Sequence, residues 1–173
     1  DPSHLRLVPY DIAGSCAHAR ELHRAGILDD SELERMLATL GDIQNDVASG
    51  RETPLPGDED IHTFIERLLV SRLGDLGGKL RAGRSRNDQA ANDLKLYLRA
   101  EARTIAAGLI QVIDALAVQA EGHVETAVPG FTHLQAAQPV VLGHQLLAHA
   151  QALQRNLGRF VDWDRRSARS PLG

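Results

Sequence analysis

The sequence predicts an all-α protein: a small helical N-terminal domain over residues 1–80 and, over 81–173, the first part of a central bundle of long helices. Three observations carry this. Apolar residues recur at spacings of three and four along most of the chain, and the alternation that marks strands is nearly absent. Two of the apolar-periodic runs, after Asn87 and after Pro139, are much longer than an ordinary helix. Capping and stop signals fall where those runs begin and end.

The elements follow in order. "DIAGSCAHARELHRAG" reads as a first helix, with Gly26 placed to stop it. Asp29 and Glu32 have the spacing of a capping box, and the helix they open carries Leu33, Met36, Leu37, Leu40, Ile43 and Val47 on one face. "SGRETPLPG" is a loop. A third helix is expected from Asp58, with Ile61, Ile65, Leu68 and Leu69 inward, followed by an irregular "GDLGGKLRAG". A long helix is expected from about Asn87 to Glu121, where Leu94, Leu98, Ala102, Ile105, Leu109, Val112 and Leu116 make one stripe. Leu96, Ile110 and Ile113 widen that stripe beyond a two-helix seam, so the helix belongs inside a bundle or between subunits. "TAVPGFTHLQAAQP" reads as a second irregular segment, with Pro139 in the first turn of a last helix that ends near Ser170.

Composition narrows the function classes. Hydrophobic residues make 43% of the 173 and charged residues 24%, the balance of a soluble globular chain. A net charge of −4 gives no reason to expect nucleic acid or an anionic membrane as partner. The single cysteine, Cys16, forms no internal disulfide and fits a reducing compartment. No run of about 18 uninterrupted apolar residues is visible, and residues 1–10 have no apolar leader core. The chain starts at Asp1 and its last helical run breaks at Pro171, so it reads as a piece of a longer protein.

Several motifs have a plain explanation. "LGGKL" is no phosphate loop, since Leu73 stands where the first glycine belongs and Leu80 where Ser or Thr belongs. His18 and His23, like His144 and His149, are five apart and off one helical face, so no metal is expected. In "EDIH", Glu59 and Asp60 complement a helix N-terminus, which leaves His62 open between surface and site. "GRSRNDQ" is different. A helix mouth favours acids, yet Arg84 and Arg86 stand there beside Ser85 and Asn87; arginine forks with helix amides make a clamp for carboxylate or phosphate. "PGFTHLQAAQP" sets His133 between Thr132 and Gln135, with Gln138 near, in a segment shaped by Gly130 and Pro139. A His held by polar neighbours suits proton transfer near neutrality, and equally a plain loop residue.

Taken together, "EDIHTFIERLL", "GGKLRAGRSRNDQ" and "PGFTHLQAAQPVVLGHQLLAHAQ", in this order, resemble the argininosuccinate lyases of the fumarase/aspartase superfamily. "YDIAGSCAHARELHRAGIL" is similar to the first helix of the same enzymes, so the resemblance covers essentially the whole chain. It implies a cytoplasmic homotetramer with a central helical bundle and active sites shared between subunits. It implies reversible cleavage of argininosuccinate to arginine and fumarate, with no cofactor and no metal. By resemblance His133 is the catalytic residue. Asn87, Thr132 (from a neighbouring subunit), Arg86, His62 and Gln135 bind substrate, and Asp60, Arg84 and Ser85 support them. The family's "GSSxMPxKxN" loop, with its catalytic Ser, does not occur in these residues, and Phe64, Leu68, Arg81, Ala82, Phe131 and Ala136 depart from the usual pattern. Two alternatives stay open: a sister lyase acting on another N-substituted succinate, and a non-enzymatic relative of the crystallin kind.

Overall fold

The structure, a computed structural model, describes the backbone of residues 2–172 and the side chains of residues 4–172. It divides into two compact units, the first up to Tyr97 together with the residues from Ser170 on, the second Leu98–Arg169. The sequence reading sets its domain boundary at residue 80; the division of the structure falls inside a helix, because the first turns of that helix belong to the packing of the N-terminal unit.

In the first unit a turn of 3-10 helix, Pro2–Leu7, leads into α1 (Val8–Arg24). There follow α2 (Asp30–Ala48), α3 (Ile61–Leu73), the short α4 (Asp75–Gly78), a 3-10 turn over Lys79–Arg81 and the start of α5 (Arg86–Gly122). The capping box at α2 forms as its spacing requires: the Glu32 N–H donates to Asp29 Oδ1 at 2.8 Å and the Asp29 N–H to Glu32 Oε2 at 3.1 Å. Met36, Leu40 and Ile43 point inward from α2 and meet Ile12, Ala19 and Leu22 of α1 and Phe64, Ile65, Leu68 and Leu69 of α3 in one apolar core. Each such side chain, once buried, stabilises the fold by roughly 1.5–3 kcal/mol before entropy is counted.

Two expectations about this unit are corrected. α3 begins after Asp60, whose carboxylate accepts from the Thr63 N–H at 2.7 Å; Asp58 instead ties the preceding loop, accepting from the Leu55 N–H and from Nε and Nη2 of Arg67. "GDLGGKLRAG" is largely regular, as α4 and the 3-10 turn, because Leu76 and Leu80 are drawn into the core.

The second unit holds the rest of α5, a hairpin of β1 (Ala127–Thr132) and β2 (Gln135–Val141), and α6 (Leu142–Ser167). The hairpin replaces the expected irregular segment, and Pro139 lies within β2 rather than in the first turn of α6. Pro139 pairs with Pro129, so two residues without an N–H face each other and no single ladder donor is orphaned. The register shifts between Pro129 and Phe131, and a Cβ on Gly130 would come 2.8 Å from the Gln138 carbonyl oxygen.

Along the two long helices Arg99 and Arg103 donate to Asp164 at 2.8 and 2.9 Å. Apolar cover is thin: among the described residues the buried hydrophobics of this unit are Ala102, Ala120 and Ala150. Leu98, Ile105, Ile110, Val112, Val118 and Val161 are exposed. α5 also contains an 18-residue window long and apolar enough to cross a bilayer by length and composition alone. The window includes charged residues, so an uninterrupted apolar run of that length is still absent among the described residues.

Candidate active site

Three helices of the first unit bring their polar residues to one place. α1 presents Asp11 and, one turn on, Ser15; α3 presents His62 from its first turn; α5 presents Gln89 and Asp93, also one turn apart. All five are buried. His62 Nδ1 lies 2.6 Å from Asp11 Oδ2 and 3.4 Å from Asp93 Oδ2. Asp11 also accepts from the Ser15 hydroxyl at 2.9 Å and, on both oxygens, from Gln89 Nε2 at 3.0 Å. Asp93, 1% exposed, receives no hydrogen bond on either oxygen.

The electrostatics follow from this crowding. Burial, and then the Asp11 charge, push the Asp93 carboxyl up to about 7, against weaker opposition from His62, Asn92 and Arg84. For His62, burial pulls downward, but the hydrogen bond and charge of Asp11, with Asp93 and Asp60 behind them, outweigh it and raise the imidazole. Burial lowers the Arg84 guanidinium. The donor atoms of Asp11, His62 and Asp93 lie within 4.8 Å of one another. That spacing alone would suit a cation, yet Asp11 is already satisfied by Ser15, Gln89 and His62, and Arg84 places its own positive charge beside the two carboxylates. The donor set suits a shared proton.

A pocket of about 290 Å³ opens against this cluster, lined by Asp11, Ser15 and His62 and by Glu66, Arg81, Arg84, Ser85, Arg86 and Gln89. The predicted residues His62, Arg84, Ser85 and Arg86 therefore share one cavity. Their roles differ in part from expectation. Arg86 is engaged within the protein, donating to Glu66 Oε2 at 2.6 Å and to Gln89 Oε1 at 2.8 Å, so its fork holds the wall rather than standing free for a ligand. Arg84 makes one hydrogen bond, to the Ser15 hydroxyl at 3.2 Å, and keeps spare donors towards the pocket. Ser85 and Asp88 cap α5: the Ser85 N–H donates to Asp88 Oδ1 at 2.7 Å and the Asn87 N–H to Ser85 Oγ at 3.2 Å. Asn87 is exposed on the first turn of α5, outside the lining of this pocket. Asp60 caps α3 and lends its charge to His62.

Thr132, His133 and Gln135 lie in the second unit, exposed at the hairpin tip. Thr132 pairs with Gln135, and the two residues between them, His133 and Leu134, both have positive φ, 52° and 62°. That conformation matches the twist of a two-residue hairpin turn and is normally left to Asn and Gly. A non-glycine residue there costs roughly 1–2 kcal/mol, and such strain gathers at functional positions.

Sequence reasoning missed Asp11, Ser15, Glu66, Gln89 and Asp93. A signal existed: Arg86, Gln89 and Asp93 sit at i, i+3 and i+7 of one helical face, and Asp11 and Ser15 at i and i+4 of another.

A family model described as Lyase matches residues 2–173. Argininosuccinate lyase 2 of Rhizobium meliloti is 63% identical over 171 residues, covering 99% of this chain and 35% of that protein. Argininosuccinate lyase 1 of Pseudomonas fluorescens is 59% identical over 170 residues, covering 98% and 36%. The chain thus spans little more than a third of the length of these relatives. Among solved structures, an EDDS lyase in complex with formate superposes with a TM-score of 0.86 at 29% identity, over 98% of this chain and 33% of that one. A class II fumarase from Schistosoma mansoni shares the fold with a TM-score of 0.83 at 15% identity, over 97% and 39%. With the family model matched over essentially its whole length, the chain belongs to this lyase family.

Proposed function

We propose that the protein carrying this chain cleaves argininosuccinate to arginine and fumarate by β-elimination, without metal or organic cofactor. The observation that carries the reading is the identity of 63% and 59%, over nearly all of this chain, to proteins named argininosuccinate lyase. In the proposed reaction a proton leaves the carbon beside a succinate carboxylate, that carboxylate takes the charge as an aci-carboxylate, the C–N bond breaks and the guanidine nitrogen gains a proton. Such a carbon acid is weak, so donors fixed in advance must hold the developing charge. Arg84, Ser85, Asn87, His62 and Thr132 are the donors this chain offers, and Gln135 stands beside Thr132. His133 is the proposed acid/base, held at a strained turn where its ring is accessible.

The same reading makes the protein a cytoplasmic homotetramer whose subunits share active sites. The exposed apolar residues of α5 and α6 support self-association, since long helices with such faces need cover. A sister lyase for another N-substituted succinate is the second reading, favoured by the likeness to EDDS lyase at 29% identity. The test is product analysis with the full-length protein offered argininosuccinate, adenylosuccinate and aspartate. Fumarate and arginine from the first alone support the proposal; fumarate from either of the others in its place overturns it.

A further inference from the structure

The cluster of Asp11, His62 and Asp93 has more acceptors than its one shared N–H can satisfy. His62 Nδ1 faces an oxygen of each carboxylate, at 2.6 and 3.4 Å. Asp11 has Ser15 and Gln89 as further donors. Asp93 makes no well-formed hydrogen bond and has only the Asn92 amide beside it, although it is fully enclosed and α1 packs on it so closely that a Cβ on Gly14 would lie 3.4 Å from Asp93 Oδ1 and 2.9 Å from the Asn92 amide. A bare carboxylate in that position is costly, and a protonated carboxyl is not.

We propose that Asp11, His62 and Asp93 form a proton-sharing cluster that takes up a proton when a carboxylate ligand enters the adjacent pocket, with Asp93 as the positioning residue that holds it. The inference rests on the reading of the pocket as a carboxylate site. The protons belong to the cluster as a whole, since groups this close titrate together. With two protons shared among two carboxylates and an imidazole the cluster is neutral; with one it carries a net negative charge. Asp11 and His62 line the pocket as well as the cluster, so that negative charge would oppose an incoming carboxylate. The ligand therefore favours the protonated cluster, and by linkage its binding draws in a proton wherever the empty site has lost one.

The charged groups around the cluster do not cancel this. From α3 and its cap, Asp60 acts on His62; from the segment before α5, Arg84 acts on both carboxylates; on the outer side of Asp93, α1 contributes His18 and Glu21 and α5 contributes Asp88. Arg84 is the fixed positive charge acting on both carboxylates, and it is partly engaged with Ser15; Arg81 and Arg86 also line the pocket, and Glu66, which both of them pair with, offsets part of their charge.

The experiment is calorimetric titration of the full-length protein with fumarate, in phosphate and in Tris, whose ionisation heats differ. With the Asp93 carboxyl pushed up to about 7, wild type should take up a substantial fraction of a proton per site at pH 7.5 and far less at pH 6. Asp93→Asn carries a permanent, uncharged mimic of the protonated carboxyl. It should bind fumarate with no proton uptake and with affinity flat between pH 6.5 and 8.5, where wild type weakens by about tenfold. Fumarate binding by wild type without proton uptake, or uptake equal in Asp93→Asn, overturns the proton-sharing cluster and leaves the carboxylate pocket standing. No fumarate binding at all overturns the pocket reading and the coupling with it. The wild-type proton count needs no variant, so it decides the matter even if Asp93→Asn does not fold.

Discussion

Replacing Asp93 by Asn should make the protein more stable, and increasingly so as pH rises. An aspartate in an unfolded chain titrates near 3.8, whereas burial and the Asp11 charge push Asp93 up to about 7 in the folded state. A folded-state value above the unfolded one means a contribution fully present below 3.8 and lost as pH climbs towards 7. At about 1.4 kcal/mol for each unit, the ionised form in the fold costs up to about 4 kcal/mol at pH 8, an upper bound because water entry and local relaxation reduce it. Asn keeps the shape and removes the ionisation. Urea unfolding at constant protein concentration, from pH 4 to pH 8, should give a stability difference between Asp93→Asn and wild type that grows across pH 4–7 in favour of the variant and levels off above. A difference constant with pH, or one that turns against the variant at pH 8, would refute the assignment of Asp93 as a carboxyl kept from ionising by its surroundings.

Three further outcomes are expected. Met36→Ala removes a side chain with no exposed surface from the centre of the N-terminal core and should cost about 2–5 kcal/mol in denaturant unfolding; a smaller loss would mean that the core closes over the gap. Asp60→Ala deletes the cap of α3 and should cost about 0.5–2 kcal/mol, most of it restored by Asp60→Asn, which can also cap. Arg86→Lys replaces a fork that reaches both Glu66 and Gln89 with a point charge that cannot hold the two together. With the side chain about a third exposed the stability loss should be about 1 kcal/mol or less, while kcat/KM of the full-length enzyme should fall by about tenfold as Gln89 loses its anchor. Unchanged kcat/KM would show that Gln89 holds Asp11 without help from Arg86.

The parts of the fold that could be read from sequence are those fixed by near neighbours. The Asp29–Glu32 box and the span of α5 depend on spacings of three and four, and both appear where the spacing sets them. The hairpin was hidden because β1 and β2 carry a proline each and no clear alternation, so nothing local distinguishes them from a loop. The site divides in the same way. Arg84, Arg86 and His62 stand out because positive charge or imidazole at a helix mouth is unusual, Ser85 stands between the two arginines, and all four line the pocket. Asp11 and Asp93 do not stand out, since one acid in a helical run reads as solvated surface; only the meeting of α1, α3 and α5 makes them interior. The same holds for the partner of Arg86: Glu66, which comes from α3, meets it only in the fold.

The account stands most directly on the turnover of His133→Asn in the full-length enzyme with argininosuccinate. His133 occupies a left-handed position at the hairpin turn, a conformation that asparagine adopts at least as readily, so the variant should melt and assemble like wild type. It loses the titratable nitrogen, and proton transfer by a positioned side chain contributes roughly 10²–10⁴-fold. The expected result is a fall in kcat of that size, with KM within about tenfold of wild type and the near-neutral limb of the pH–rate profile gone. Normal melting together with kcat within a few-fold of wild type would contradict the account, leaving His133 a turn residue and the chemistry to be sought elsewhere.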